Sequence, residues 1–528
     1  MHIVIADDLP TTAADLLKEV PGWTVDAEAG RPRPALRDAM AGADGLIVRS
    51  ATKVDADLIA AAPRLRVVAR AGTGVDNVDL DAASQRGIVV MNAPGANSVS
   101  VAEHTFALML ALARSVAVAD EAMKRERWEK RSLIGAELRG KTLGIVGLGR
   151  IGQEVGQRAR AFGMEVVAHD PFIAAHVAAD LGITLSSIDD LCARADYITL
   201  HVPATAATKG LFDAERLGRC KPGVRIVNTA RGELIDEAAL ADAIERGHVG
   251  GAGLDVFRKE PPVDWRLVQS PRVVATPHIA ASTAEAQELV GLEVAASLRD
   301  YLRDGVIRNA VNFPSVPPEE FRRLQPFLRL AERLGLLLSQ LAAGRTHAVG
   351  VRYYGQLAEG HGELVANSVL VGLLGHILSG GISLVNARSV ATQRGIELIE
   401  TRSTRPRNYT SLLSVKLHTS EGEHWVEGTV FENGSPRLVL VDGVEIEAAL
   451  DGTLLVIRNS DQPGVIGEVG TLLGRQGINI ASFTLGRGPD GAVGVVSIDP
   501  RSASLVDEQV VETVAELGAV RRVAVVRV

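Results

Sequence analysis

At 528 residues the chain is longer than one hydrophobic core serves, and its 46% hydrophobic content is mostly Ala, Val, Leu and Ile with only 4% aromatics, so an α/β molecule of several domains is expected. A formal net charge of −8 and a pI near 5.9, without a long basic run, exclude the electrostatic footprint of a nucleic-acid binder. Cys192 and Cys220 belong to no CxxC pair or Cys/His cluster, which argues against a disulfide frame and against a metal site.

The chain opens with Met1-His-Ile-Val-Ile5 running into Asp7 and Asp8, without a basic and then apolar leader, and no apolar stretch reaches about 18 residues. A cytoplasmic protein with no membrane partner is the expectation. Alternation predicts a strand over 2–6, a helix over 11–20 and strands over 45–49, 65–70 and 88–91, a small α/β unit. The Ala/Leu/Val-rich tract 98–123, with Glu103 and His104 near its start, reads as one long buried helix capped by Asn97 and Ser98. An apolar strand over 141–146, a glycine turn, a helix over 153–162 and a strand over 165–169 then form a complete βαβ unit. Strands over 197–202, 225–229 and 251–256 follow, and a helix from near Ser282 is expected to return the chain to the first unit.

Phe313-Pro-Ser-Val-Pro-Pro318 breaks any continuing element and marks a boundary. Beyond it come apolar helices over 321–341 and 364–378 and hairpin-like strands around 410–440, with no chemistry motif. From Asp451-Gly452 the pattern is strand 453–458, helix 466–475, strands 478–485 and 494–498, helix 504–516 and strand 520–526, a ferredoxin-like βαββαβ order.

A GxGxxG is weak evidence alone. Gly147-Leu-Gly149-Arg150-Ile151-Gly152 stands between strand and helix, however, and Asp170 closes the next strand 23 positions after Gly147. Gly147 serves the tight turn, Gly149 the approach of backbone to a pyrophosphate and Gly152 close helix packing, while the helix N-terminus favours negative charge. Asp170 would accept hydrogen bonds from adenine-ribose hydroxyls and repel a 2′-phosphate, so NAD rather than NADP is the expected cofactor.

Three polar groups follow downstream: Arg231 in Asn228-Thr-Ala-Arg-Gly232, Glu260 in Asp255-Val-Phe-Arg-Lys-Glu260, and His278 in Pro277-His-Ile. Each alone would pass for a solvated loop residue. Together they supply what oxidation of a 2-hydroxy acid needs: a guanidinium to hold the carboxylate, an imidazole to take the hydroxyl proton, and an acid to orient that imidazole and raise its pKa. In the first unit Arg49-Ser50 and Arg70-Ala-Gly72 follow apolar strands and Asn97 begins a helix. Two guanidiniums with a glycine turn and a helix N-terminus suit a phosphate dianion, strand-end arginines facing water being the alternative.

With Val48-Arg49-Ser-Ala-Thr-Lys53 and Arg70-Ala-Gly-Thr-Gly-Val-Asp-Asn-Val-Asp79, these segments resemble the D-isomer-specific 2-hydroxyacid dehydrogenases. The likeness covers essentially the whole chain, including a C-terminal half that other members usually lack. It implies a Rossmann-type doubly wound nucleotide-binding domain over 98–281 inserted in a flavodoxin-like substrate domain over 1–97 and 282–313. An α+β intervening domain over 314–451 and a ferredoxin-like ACT regulatory domain over 452–528 would follow. The implied activity is NAD-linked oxidation of 3-phosphoglycerate to 3-phosphonooxypyruvate, the committed step of L-serine biosynthesis, in a homotetramer.

Arg231, Glu260 and His278 match the family's catalytic positions, and Ile151, Asp170, Thr205, Thr229, Ala230, Arg231, Asp255 and His278 match positions at the cofactor. The resemblance places Arg49, Ser50, Arg70, Gly72, Asn97, Arg231 and His278 at the substrate, and Trp128 and Lys130 in a segment that in relatives reaches the neighbouring subunit. Asp461-Gln-Pro463-Gly464 and Asn479 resemble the effector turn and strand entry of ACT domains, which implies L-serine as effector; ordinary turn residues are the other reading. Asn459 and Ser460 stand where some relatives carry a ring, a difference that would weaken effector affinity. A hydroxypyruvate, glyoxylate or 2-oxoglutarate reductase on the same scaffold, and an NAD-sensing corepressor or scaffold, stay open at this level.

Overall fold

The computed structural model describes residues 1–314, 316–360, 362–378, 381–405 and 407–528, so Ser315 of the proline-rich boundary lies outside the described residues. The first unit is a five-stranded parallel sheet in the order Thr24–Asp26, His2–Ile5, Gly45–Val48, Val67–Arg70, Val89–Met91. Gly45–Val48 and Val67–Arg70 are covered on both faces, which is why they read as almost unbroken apolar runs. Helix Ala284–Asp304 packs on helix Thr11–Lys18, and the chain then pairs Ala310 with Met91. The helix beginning past Ser282 therefore does return to the first unit.

Between these two passages lies a seven-stranded, all-parallel sheet. Its order is Val273–Ala275, Val249–Leu254, Val224–Asn228, Tyr197–Leu200, Thr142–Val146, Glu165–His169, Thr184–Leu185. Strand order reverses between Tyr197–Leu200 and Thr142–Val146, the switch point outside which open α/β sheets bind their ligands. The glycine fingerprint stands at that point.

The single helix expected over 98–123 is two, Ser98–Arg114 and Val116–Lys124, bent by 68° where Ser115 takes a left-handed φ of 51°. The Ala113 carbonyl, which a continuing helix would give to residue 117, instead accepts from the Ala136 N–H at 2.8 Å. Asn97 does not cap this helix through its side chain either; its Oδ1 accepts from Thr73 Oγ1 at 3.0 Å. No single helix among the described residues is long and apolar enough to cross a membrane.

In the C-terminal half, helices Pro318–Leu341 and Gly362–Gly375 lie against each other and beside a six-stranded mixed sheet. A Cβ on Gly335 would overlap the Val369 carbonyl and one on Gly372 the Glu332 carbonyl, so reciprocal glycines let the helix backbones touch. The sheet contains three strands that the sequence pattern did not announce, Thr346–Gly355 and the edge strand Glu397–Ser403, paired in parallel, and Val444–Ala449 at the other edge. The last unit is a four-stranded antiparallel sheet in the order Ile480–Gly488, Gly491–Ile498, Thr453–Asn459, Val520–Arg527 with helices Val465–Arg475 and Glu508–Ala515, the expected βαββαβ succession. Its second helix is shorter than the 504–516 expected: Asp507 accepts from the Val510 N–H at 3.0 Å and starts it there, after a separate 3-10 turn over Ala503–Leu505.

Candidate active site

Strand Thr142–Val146 ends at Gly147, whose φ of 95° favours glycine, and a Cβ on Gly152 would overlap the Gly147 carbonyl oxygen. These two glycines bring helix Arg150–Ala161 tightly onto the turn. At Gly149 an added Cβ would meet nothing within 4 Å, and the helix that Gly149 precedes has no side-chain cap. Its first-turn amides, from Arg150, Ile151 and Gly152, are thus left for an anion. Asp170 follows strand Glu165–His169 and accepts from the Leu148 N–H at 2.8 Å on one oxygen and from the Phe172 N–H at 2.8 Å on the other. Each oxygen keeps a lone pair for a ribose hydroxyl. The cradle and its acidic neighbour fit a dinucleotide.

The other expected cofactor residues are already partnered. Thr205 Oγ1 bonds Thr208 Oγ1 at 3.0 Å, and the buried Thr229 Oγ1 bonds Thr105 Oγ1 at 3.0 Å. The Ala230 N–H donates to Asn228 Oδ1 at 3.0 Å, and Asn228 Nδ2 donates to the Arg231 carbonyl at 2.8 Å. Asn228, buried at the end of its strand, thereby folds the turn that presents Arg231.

From that turn Arg231 reaches across to the first unit, where its Nε and Nη2 each lie 3.1 Å from Asp76 Oδ2. A Cβ on Gly74 would overlap Arg231 Nη2, and a Cβ on Gly232 would overlap the Phe257 backbone. Two glycines therefore allow the guanidinium to lie against one wall and the segment bearing Glu260 to pack against the other. Glu260 accepts from the Phe257 N–H at 3.1 Å and meets His278 Nδ1 at 2.7 Å. That hydrogen bond, reinforced by the carboxylate's charge, holds the His278 pKa above the ordinary imidazole value against burial and Arg231. Burial pushes Glu260 upward, but the His278 hydrogen bond and the Phe257 N–H outweigh it and leave its pKa lowered.

His278 itself has a left-handed φ of 55°. Asp255, fully buried, holds it there: its carbonyl accepts the His278 N–H at 2.8 Å, and its carboxylate accepts from Ile279 N–H at 2.8 Å, Ala280 N–H at 2.9 Å and Thr276 Oγ1 at 2.7 Å. Burial raises the Asp255 pKa, yet His104, Thr276 and the two amides together bring it below the usual carboxylate range.

On the first-unit side, Arg70 ends strand Val67–Arg70 with its Nε buried and, among the described residues, without a hydrogen-bond partner, and a Cβ on Gly72 would overlap its Nη1. Burial first, then the charges of Arg231 and Arg49, lower the Arg70 pKa, so three guanidiniums face one region that an anion would relieve. Arg49 is tied through its N–H to Asp7 at 2.5 Å and through Nη1 to the Asp8 carbonyl at 3.3 Å, with Ser50 exposed beside it. Past Asn97, Ser98 Oγ is buried at the start of its helix and, among the described residues, has no hydrogen-bond partner.

Comparison with known proteins fits this arrangement. Residues 106–280 match the family model described as D-isomer specific 2-hydroxyacid dehydrogenase, NAD binding domain. Residues 323–442 match the D-3-phosphoglycerate dehydrogenase intervening domain, and 453–519 the ACT domain. The D-3-phosphoglycerate dehydrogenase of Archaeoglobus fulgidus is 43% identical over 496 residues, covering 94% of this chain and 94% of that relative. That of Methanocaldococcus jannaschii is 41% identical over 527 residues, 100% of this chain and 99% of the relative. The chain belongs to the D-3-phosphoglycerate dehydrogenase family. Among solved structures, D-lactate dehydrogenase from Aquifex aeolicus complexed with NAD and lactic acid is 28% identical, with a TM-score of 0.52, and covers 60% of this chain and 100% of that one.

As a family member the chain carries an NAD-binding α/β half followed by intervening and ACT domains. Sequence reasoning missed Asp76, Asn228's bracing role, and a polar face on helix Ser98–Arg114 where Ser100 meets Thr283 at 2.7 Å, His104 meets Thr276 at 3.0 Å and Thr105 meets Thr229. The signal for that face was present as polar residues four and five apart in an otherwise apolar helix.

The ACT residues Asp461 and Asn479 have different hydrogen-bond partners within one chain. Asp461 accepts from Arg487 Nε at 3.1 Å, whereas Asn479 Nδ2 donates to Asp499 at 3.4 Å, and among the described residues no hydrogen bond joins the two. Pro463 leads into Gly464, which precedes helix Val465–Arg475 with a φ of 99°.

Proposed function

We propose that the chain oxidises the C2 hydroxyl of 3-phosphoglycerate to the ketone of 3-phosphonooxypyruvate, the committed step of L-serine biosynthesis. The observation that carries this reading is the facing of the His278–Glu260 pair, Arg231 and the Arg70 guanidinium on one cleft between two units. Arg231 takes the substrate carboxylate as a bidentate clamp, which requires that carboxylate to replace Asp76. Arg70 and Arg49, with Ser50, Gly72 and Asn97, hold the phosphate. The Nδ1 of His278 stays on Glu260, so Nε2 receives the hydroxyl proton, and the imidazolium that forms is stabilised by the carboxylate. Bound NAD would supply the acceptor for the hydride that leaves C2. Gly147, Gly149, Arg150, Ile151 and Gly152 hold its pyrophosphate and Asp170 its ribose, with Thr205, Thr229, Ala230, Asp255 and His278 along the rest of its length.

In this reading the working molecule is a homotetramer in the cytoplasm, and the exposed segment bearing Trp128 and Lys130 reaches the adjoining subunit. The ACT unit takes L-serine between two copies, with Asp461, Pro463 and Gly464 from one and Asn479 from the other; within one chain Asp461 and Asn479 keep different partners, Arg487 and Asp499. Arg49→Ala tests the phosphate assignment. KM for 3-phosphoglycerate rises well over tenfold while that for D-glycerate changes little; an equal rise for both would remove Arg49 from the phosphate.

A further inference from the structure

We infer that His104 is a positioning residue for the reaction, acting on the His278 segment through Thr276 and Asp255. This inference rests on the reading of His278 as the base. Thr276 has a single hydroxyl proton, and it is donated to Asp255 Oδ1 at 2.7 Å, because a carboxylate can only accept. The contact of 3.0 Å between His104 Nε2 and the same hydroxyl oxygen must then run from an Nε2–H donor to an oxygen lone pair. His104 Nε2 also stands 3.5 Å from Asp255 Oδ1, so the ring faces both members of the pair.

The direction of this chain matters for what it supports. Asp255 is fully buried, and its carboxylate stays ionised only through its donors: His104, Thr276 and the amides of Ile279 and Ala280. Those two amides directly follow the position at which His278 adopts its left-handed backbone, and the Asp255 carbonyl holds the His278 N–H. A non-glycine residue in that conformation persists when its surroundings over-determine it. Here the determining group is a buried carboxylate, and His104 is a side chain from outside the 255–280 stretch that meets it.

His104 is delivered by helix Ser98–Arg114, the same helix whose start lies beside Thr73 and Asn97 on the first-unit side. Ser100 and Thr105 pin that helix to Thr283 and Thr229 on either side of the His104 contact. The helix thus connects the substrate side of the cleft with the loop that carries the base. Removing the His104 donor loosens Thr276, leaves Asp255 short of one partner, and lets the imidazole drift from its reactive geometry while both binding sites stand.

The test is steady-state kinetics of the full chain with His104→Leu, His104→Gln and Thr276→Val. His104→Leu lowers kcat about 10- to 100-fold, with KM for NAD and for 3-phosphoglycerate changing less than about threefold. His104→Gln, whose amide N–H can still donate to Thr276, keeps kcat within about fivefold of the parent. Thr276→Val removes the middle hydroxyl with little change of volume and reproduces the kcat loss, so the inference stays testable even where the leucine variant does not fold. Unchanged kcat in a soluble Leu or Val variant, equal loss in the Gln variant, or a loss confined to KM would each overturn it. His278→Ala separates the two levels: if it is inactive while His104→Leu is fully active, only the His104 role is lost, whereas an active His278→Ala removes the base assignment beneath it.

Discussion

His278 occupies a backbone conformation that costs on the order of 1–3 kcal/mol for a non-glycine residue, and three backbone hydrogen bonds to Asp255 around it offset that cost. His278→Ala should therefore lower kcat by about 10²- to 10⁴-fold while NAD binding, followed by protein fluorescence, persists. Because the base works in its neutral form, kcat/KM climbs with pH through the His278 pKa, which the Glu260 hydrogen bond holds above its ordinary value. Glu260→Gln removes the largest cause of that shift, so the rising limb moves to lower pH and the plateau falls; a limb that stays in place would show that Glu260 does not govern the imidazole. At this scale the sequence singled out Arg231, Glu260 and His278 only as a set downstream of the glycine fingerprint, and the structure brings two of them, Glu260 and His278, into a hydrogen bond. Asp76 was not, since its partner Arg231 lies 155 residues away and nothing local marks the pairing.

Among the elements, those with strong periodicity were read nearly to their ends, as with Glu165–His169 and the βαββαβ unit. Thr24–Asp26 is three residues long and partly exposed, and the edge strand Glu397–Ser403 mixes charged, hydroxyl and apolar residues with Leu398 and Ile399 adjacent and no residue fully buried, so neither carries a clear apolar pattern. The break at Ser115 escaped notice because a tertiary hydrogen bond from Ala136, rather than a glycine or proline, ends the helix. Glycines at backbone contacts make the sharpest predictions here. Gly372→Ala places a methyl against the Glu332 carbonyl and should destabilise the helix pair by about 1–3 kcal/mol, read as a lower melting temperature of the intervening unit. Gly232→Ala meets the Phe257 backbone instead and should depress kcat far more than stability, because the displaced segment bears Glu260. Equal effects of the two substitutions on kcat would contradict that division.

Across the whole molecule, the groups of the proposed site come from two sheets, bridged by the ion pair of Arg231 with Asp76. The base, its carboxylate and Arg231 belong to the seven-stranded sheet, and Arg49, Arg70 and Asp76 to the five-stranded one. The motifs suggested this proposed division, but the contact that bridges the two units, Arg231 to Asp76, needed the fold. The same holds for the ACT unit, whose expected effector residues face different partners within one chain. Asn479→Ala should weaken inhibition by L-serine at least tenfold with unchanged turnover in its absence, and identical inhibition curves would take this pocket out of the account. The most direct test of the central claim is the initial rate of NADH formation from NAD with 3-phosphoglycerate, run beside D-glycerate and 2-hydroxyglutarate. Turnover selective for the phosphorylated acid is the predicted result; preference for an unphosphorylated acid would contradict the assignment of Arg49 and Arg70 to a phosphate.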